Sequence, residues 1–193
     1  MGNMSELMAQ VRHRVTVGNY YKMAEAGIFS ADDRVELIDG EIVDKAPTGS
    51  HHAGVVKMLV RRFSETIGKH AILSIKDPLH LDTHSEPEPD LMLLQPRDDF
   101  YAAAHPVASD VLLLIEVGDS TARFDREVKL PLYARQGVPE VWLVTLDTRQ
   151  IEVCRAPLKD ADNYTERTIH SADNIAPRLL PDCLVEVATL FPW

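Results

Sequence analysis

The hydrophobic pattern of the chain changes period several times, and each change marks an element. Thr16 to Ala26 (TVGNYYKMAEA) predicts a short helix, with Thr16 at its N-cap and Gly27 as its stop. The runs RVELI and EIVDKA flank Asp39-Gly40, a dipeptide suited to a type I′ turn, and predict a β-hairpin. Val55, Val56, Leu59, Val60, Phe63 and Ile67 then recur at helical spacing. They predict a long helix capped by Ser50 and running to about Gly68.

Strand-like runs follow at AILSI, PLHL, PDLMLL, VLLLIEV and EVWLVTL, the last continuing through DTRQ into IEVCR as a second hairpin. Between VLLLIEV and EVWLVTL lies a helical segment, about Phe124 to Gln136, closed by Gly137 and capped by Ser120 and Thr121. Strand, helix and strand in that order form a crossover, so the two strands should be parallel neighbours. The tail, DCLVEVATLF, adds a short strand and a final turn. Pro87 and Pro89 give the PDLMLL strand a rigid lead-in rather than a domain linker. The expectation is one α/β or α+β domain over residues 1–193, a mixed sheet with helices on its faces, preceded by an N-terminal arm over 1–14.

Composition narrows the reading only a little. The 193 residues are 45% hydrophobic and 26% charged, ordinary for a soluble globular protein. No apolar run approaches the roughly 20 residues of a membrane helix, and MGNMSELMAQVRHRV lacks the apolar block of a secretory signal. Cys154 and Cys183 are too few and too far apart to predict a zinc site or a disulfide framework, so reduced thiols and a cytoplasmic setting are expected. The formal net charge of −10 argues against a general positive field for nucleic acid. It leaves room for an enzyme that meets phosphate through metal ions.

Two carboxylates stand where such chemistry would sit. Asp90 opens a strand whose next four residues are apolar, and Glu116 closes the VLLLIEV run. If the strands are neighbours, both converge on one point, enough for a Mg²⁺ or Mn²⁺ ion bound through carboxylates, waters and a substrate phosphate. The alternative is that Asp90 caps a strand start and Glu116 is a solvated strand end. Asp125, Lys129 and Tyr133 fall at i, i+4 and i+8 on one helix face, with Phe124, Val128 and Leu132 as the core-facing stripe opposite. That polar face could return Lys129 toward the carboxylates, or simply pair it with Asp125. Pro131 either kinks this helix or marks its start, with Lys129 just outside.

The order VELIDGEIV, SHHAGVV, EPEPDLMLL, LLLIEVGDST and DREVKLPLYARQGVPEVWLV resembles the Uma-type family of restriction endonucleases, in the PD-(D/E)XK nuclease superfamily. The resemblance implies a restriction-endonuclease-like fold and Mg²⁺-dependent hydrolysis of phosphodiesters, with DNA as the substrate. It makes Asp90 and Glu116 metal ligands, adds Glu36 from an early element, and assigns the catalytic lysine to Lys129 because the usual position holds Gly118. It suggests substrate contacts for His52, Tyr133 and Arg123. Two paired copies would set two sites against two strands, so a homodimer joins nucleic acid among the expected partners. The competing expectation is a protein-interaction module that keeps the nuclease fold without its activity. The net charge and the sparse basic clusters (Arg61 with Arg62, Arg123 with Arg126) favour it.

Overall fold

Thr16 opens the first helix as its residue type predicts, its hydroxyl accepting the Asn19 N–H at 3.2 Å. A computed structural model describes residues 12–30, 32–119 and 121–193. Most of the expected N-terminal arm, and Ser120 as a cap, lie outside the described residues. Contacts divide the chain into two compact units, one of residues up to Lys45 with Leu81–Pro87, the other of Ala46–His80 with Glu88–Trp193.

The first unit holds helix α1 (Val17–Glu25) and the antiparallel hairpin β1 (Val35–Ile38) and β2 (Glu41–Asp44). Asp39 and Gly40 both take positive φ, +50° and +81°, as the type I′ turn requires. The segment 81–87 lies along the hairpin, with Glu86 N–H donating to the Leu37 carbonyl and Gly40 N–H to that of His84. Glu86 is buried and accepts the Tyr21 hydroxyl. Arg12 and Arg14 pair with Glu41 and Asp39, so these two residues of the expected arm are tied to the hairpin.

The second unit is built on a six-stranded mixed sheet in the order β3 (Ile72–Ser74), β4 (Leu91–Leu94), β5 (Val111–Gly118), β6 (Glu140–Thr145), β7 (Gln150–Leu158) and β8 (Asn163–His170). Only β5 and β6 are parallel, the pair joined by the crossover; the other neighbours are antiparallel. Alternate residues face opposite sides of a strand. Leu91, Leu93, Leu113, Ile115, Val117, Trp142 and Val144 therefore share one face, packed in a single core with Val55, Val56, Leu59 and Phe63 of helix α2 (Ser50–Thr66). A small sheet, β9 (Asn174–Ile175) with β10 (Val185–Glu186), and a closing turn at Val187–Leu190 supply further residues of that core. The other face receives helix α3. This is an α+β architecture, and among the described residues no helix is long and apolar enough to cross a membrane.

Local expectations failed in instructive places. The N-cap of α2 is Gly49, and Ser50 is already helical. PLHL forms no strand and only a bridge from His80 to Val107. The strand β8, NYTERTIH, went unpredicted because it is an edge strand with one buried residue, so its polar sequence carries little of the usual alternation. The crossover helix α3 has three parts: an α turn at Ala122–Phe124, a π turn at Asp125–Lys129 and an α segment at Leu130–Gln136. Thr121 precedes it without a side-chain cap bond. A proline ring in a regular helix collides with the carbonyl four residues back. The π turn re-spaces the carbonyls just before Pro131 and leaves the proline in the first turn of the following segment, where it is tolerated.

Glu152 of β7 ties this helix to the sheet. It accepts Arg126 of the π turn at 2.8 Å and Arg167 of β8 at 2.7 Å while nearly buried. Burial pushes its carboxyl up, but the two guanidinium hydrogen bonds and charges outweigh that and hold it below its ordinary range. A depressed folded pKa contributes stability that is complete above the unfolded value and fades as pH falls through the folded one. Glu152→Gln should therefore cost about 1.5–3 kcal/mol at neutral pH. In thermal unfolding, the gap in Tm between variant and wild type should close as the buffer is acidified below the normal carboxylate range.

Candidate active site

The register of β4 against β5 sets the site. Leu91 pairs with Ile115, so the next residues toward this end of the sheet are Asp90 on one strand and Glu116 on its neighbour. Glu116 lies on the α3 side of the sheet, opposite Ile115, and Asp90 stands just before β4 begins. The two strands are neighbours, which is the condition the expectation set.

Asp90 sits at the margin, with 15% of its side chain exposed. Its Oδ2 accepts the Val117 N–H at 3.0 Å, and His52 Nε2 lies at 3.0 Å from the same oxygen. Burial pushes the Asp90 carboxyl up; the His52 hydrogen bond and charge, the Val117 N–H and the Lys76 charge together bring it below the model-peptide range. An ionised carboxylate can only accept, so His52 Nε2 carries the hydrogen and donates it. The other ring nitrogen, Nδ1, is buried without a hydrogen-bond partner. His52 thus belongs to the site, reaching it from the first turn of α2.

Glu116 is deeper, only 3% exposed. One oxygen, Oε1, accepts the Tyr133 hydroxyl at 2.6 Å and the Lys129 ammonium at 3.2 Å. Lys129 is buried as well, and Tyr133 is fully so. Lys129 therefore pairs across the helix–sheet interface, as the first expectation had it. The expected core stripe of α3, however, is met only at Leu132, which is buried. Asp125, Lys129 and Tyr133 are the buried stripe, while Phe124 and Val128 are only half-buried. In a regular helix each step of four residues drifts by about 40°. The wider π turn, closing i→i+5 bonds, drifts the opposite way between Asp125 and Lys129. The two drifts offset each other, and the three side chains stay in line toward the sheet.

Gly118 explains why the lysine comes from the helix. A Cβ placed there would lie 2.6 Å from Ala122 Cα and 2.8 Å from Ala122 Cβ. The first turn of α3 packs against that glycine, so the strand position two residues after Glu116 admits no side chain. A lysine from that strand position is sterically excluded, and Lys129 supplies the cation from the opposite side of the same interface.

Arg123 is on the surface, 85% exposed at its side chain and paired with Glu127, and is not among the groups that touch either carboxylate. Tyr133, expected to contact substrate, is enclosed and serves Glu116. Glu36 is buried in β1 of the first unit. His51 stacks on Trp193 at 4.2 Å, and Trp142 is core, as its strand position predicted. The Val117 backbone N–H and the alignment by the π turn were not readable from residue types.

Among the described residues, no group of three or more His, Cys, Asp or Glu side chains forms a ready metal cage. The donor set at the sheet end is two carboxylates, Asp90 and Glu116. Hard oxygen donors of that number fit Mg²⁺, which commonly takes one or two carboxylates and keeps several waters. They would not suffice for a site in which the protein supplies every ligand.

A family model described as "Uma2: Putative restriction endonuclease" matches residues 17–188. The crystal structure of "a putative nuclease belonging to DUF820 from Anabaena variabilis ATCC 29413" superposes with a TM-score of 0.71 at 16% identity, covering 93% of this chain and 98% of that one. At that identity the likeness establishes the fold. No curated protein matches the chain.

Two stability predictions follow from this packing. Lys129→Met should destabilise by about 3–5 kcal/mol in urea unfolding, because it strands a buried carboxylate. Adding Glu116→Gln should recover much of that loss, giving a large coupling energy in the double-mutant cycle. Gly118→Ala should cost about 1–3 kcal/mol by overpacking against Ala122. Gly118→Lys should be at least as harmful and should not replace Lys129.

Proposed function

Because this chain belongs to the Uma2 family, described as "Putative restriction endonuclease", we propose that it is a Mg²⁺- or Mn²⁺-dependent endonuclease hydrolysing phosphodiester bonds in DNA. The observation that carries this reading is that Asp90 and Glu116 follow the paired Leu91 and Ile115 at the end of two neighbouring strands, with a buried lysine on the second carboxylate. Asp90 and Glu116 would hold the ion. When bound, the ion would lower the pKa of a water and neutralise phosphate charge.

The chain's own groups supply the rest. His52 and the Val117 N–H fix the direction of the Asp90 carboxylate and keep it ionised, ready to take a cation. Tyr133 and Lys129 fix Glu116 through hydrogen bonds to Oε1. Lys129 also puts one fixed positive charge beside the carboxylates, where it offsets negative charge that builds on a phosphoryl group. A cytoplasmic setting accords with the free thiols of Cys154 and Cys183.

A second reading rests on a separate observation. Three of the arginines available for a nucleic-acid backbone are already paired: Arg61 with Glu65, Arg123 with Glu127 and Arg126 with Glu152. With a net charge of −10, this favours a protein-interaction module that has kept the fold.

Plasmid nicking in Mn²⁺ separates the two. The nuclease reading expects wild-type cleavage, with Asp90→Asn and Glu116→Gln each lowering the rate on the order of 10²-fold or more. Calorimetry should show Mn²⁺ binding lost in the double variant. Activity that is unchanged in Glu116→Gln would overturn the assignment. Absent cleavage and absent metal binding in the wild type would favour the interaction module.

A further inference from the structure

The row of residues that begins with Glu116 and Asp90 continues one strand further. Ser74 pairs with Met92 across β3 and β4, so prolonging that antiparallel register brings Lys76 level with Asp90. Strand β3 itself ends at Ser74. The chain turns there, with the Ser74 hydroxyl donating to Asp77 at 2.6 Å. Lys76 takes φ +55°, a left-handed conformation that lysine adopts at a cost.

The turn holds the lysine head near the site. Its Nζ donates to Thr48 Oγ1 at 3.4 Å, just before the helix that carries His52. Lys76 is half-buried, and among the described residues no carboxylate lies within ion-pair distance of its ammonium. One long hydrogen bond leaves most of an ammonium's donor capacity unused.

We infer that Lys76 is a phosphate anchor, binding a backbone phosphate of the DNA strand beside the one that Asp90 and Glu116 would engage. The inference rests on the nuclease reading above and extends it with a substrate-binding residue outside the family motif. It also gives this acidic chain a local cation for its substrate. Lys129 is not available for that role, since it is buried on Glu116. The turn after β3 sets the ammonium beside Thr48, just before the helix that carries His52.

The test is binding of a labelled DNA duplex over a salt series, with Ca²⁺ replacing Mg²⁺ so that the duplex stays intact. Lys76→Asn removes the charge while suiting the left-handed backbone. It should weaken binding by about five- to tenfold at low salt and lower the log–log salt slope by about 1. Lys76→Arg should keep the wild-type slope, a rescue that a purely structural role would not produce. Wild-type affinity and slope in Lys76→Asn would overturn the inference and leave the nuclease reading standing. A wild type that binds no duplex at any salt would overturn both.

Discussion

A carboxylate buried at the end of a central strand is the constraint on which this site depends. Removing an ion from water costs several kcal/mol, and the cost is recovered only by close charge and hydrogen-bond partners. Glu116 obtains both from α3, and the helix is shaped to deliver them. Gly118 lets its first turn approach the strand, the π turn keeps Lys129 and Tyr133 in line, and Gly137 ends it in the left-handed conformation before β6. The crossover is therefore the scaffold of the site as well as the link between two parallel strands.

Much of this was legible because it depends on period and order. The hairpin at Asp39-Gly40, the long helix α2 and the parallel pair β5–β6 follow from turn chemistry and apolar spacing. The carboxylates were legible too, since a charge at the end of an apolar run is visible in one dimension. The direction of α3 was not. Phe124 and Val128 look like a core stripe, and Asp125 and Lys129 like a solvated one, whenever burial is assumed to follow hydrophobicity. That assumption fails where a buried charge must be matched by another. Residue types also cannot show that Pro131 follows a π turn, or that Gly118 is small because Ala122 is close. Strand β8 escaped for a different reason: its edge position leaves it little apolar surface to bury.

The charge of the whole chain and the charge of the site are separate matters. A net of −10 describes a protein whose basic groups are largely matched in pairs, several of which join secondary elements: Arg126 and Arg167 meet at Glu152, and Arg155 meets Glu140. Such groups hold the fold and have little left for a ligand. The local field at the sheet end depends on Lys129, held inside, and Lys76, held at the rim. Long-range attraction of DNA would be weak in this arrangement, so affinity would have to come from contacts made after encounter.

The two carboxylates also differ in what fixes them, and the difference has a physical direction. Asp90 is held by a backbone N–H and a histidine at a margin that remains partly open, while Glu116 is enclosed by a tyrosine and a lysine. A group at the margin can exchange a water or a substrate oxygen without disturbing the core. An enclosed group keeps its position whatever arrives. Rigid placement of one carboxylate and access at the other are complementary requirements for a cation that must be held by the protein yet meet a phosphate from solvent. In the proposed nuclease, Lys129 and Tyr133 would meet the first requirement by holding Glu116, and the partly exposed Asp90 would meet the second.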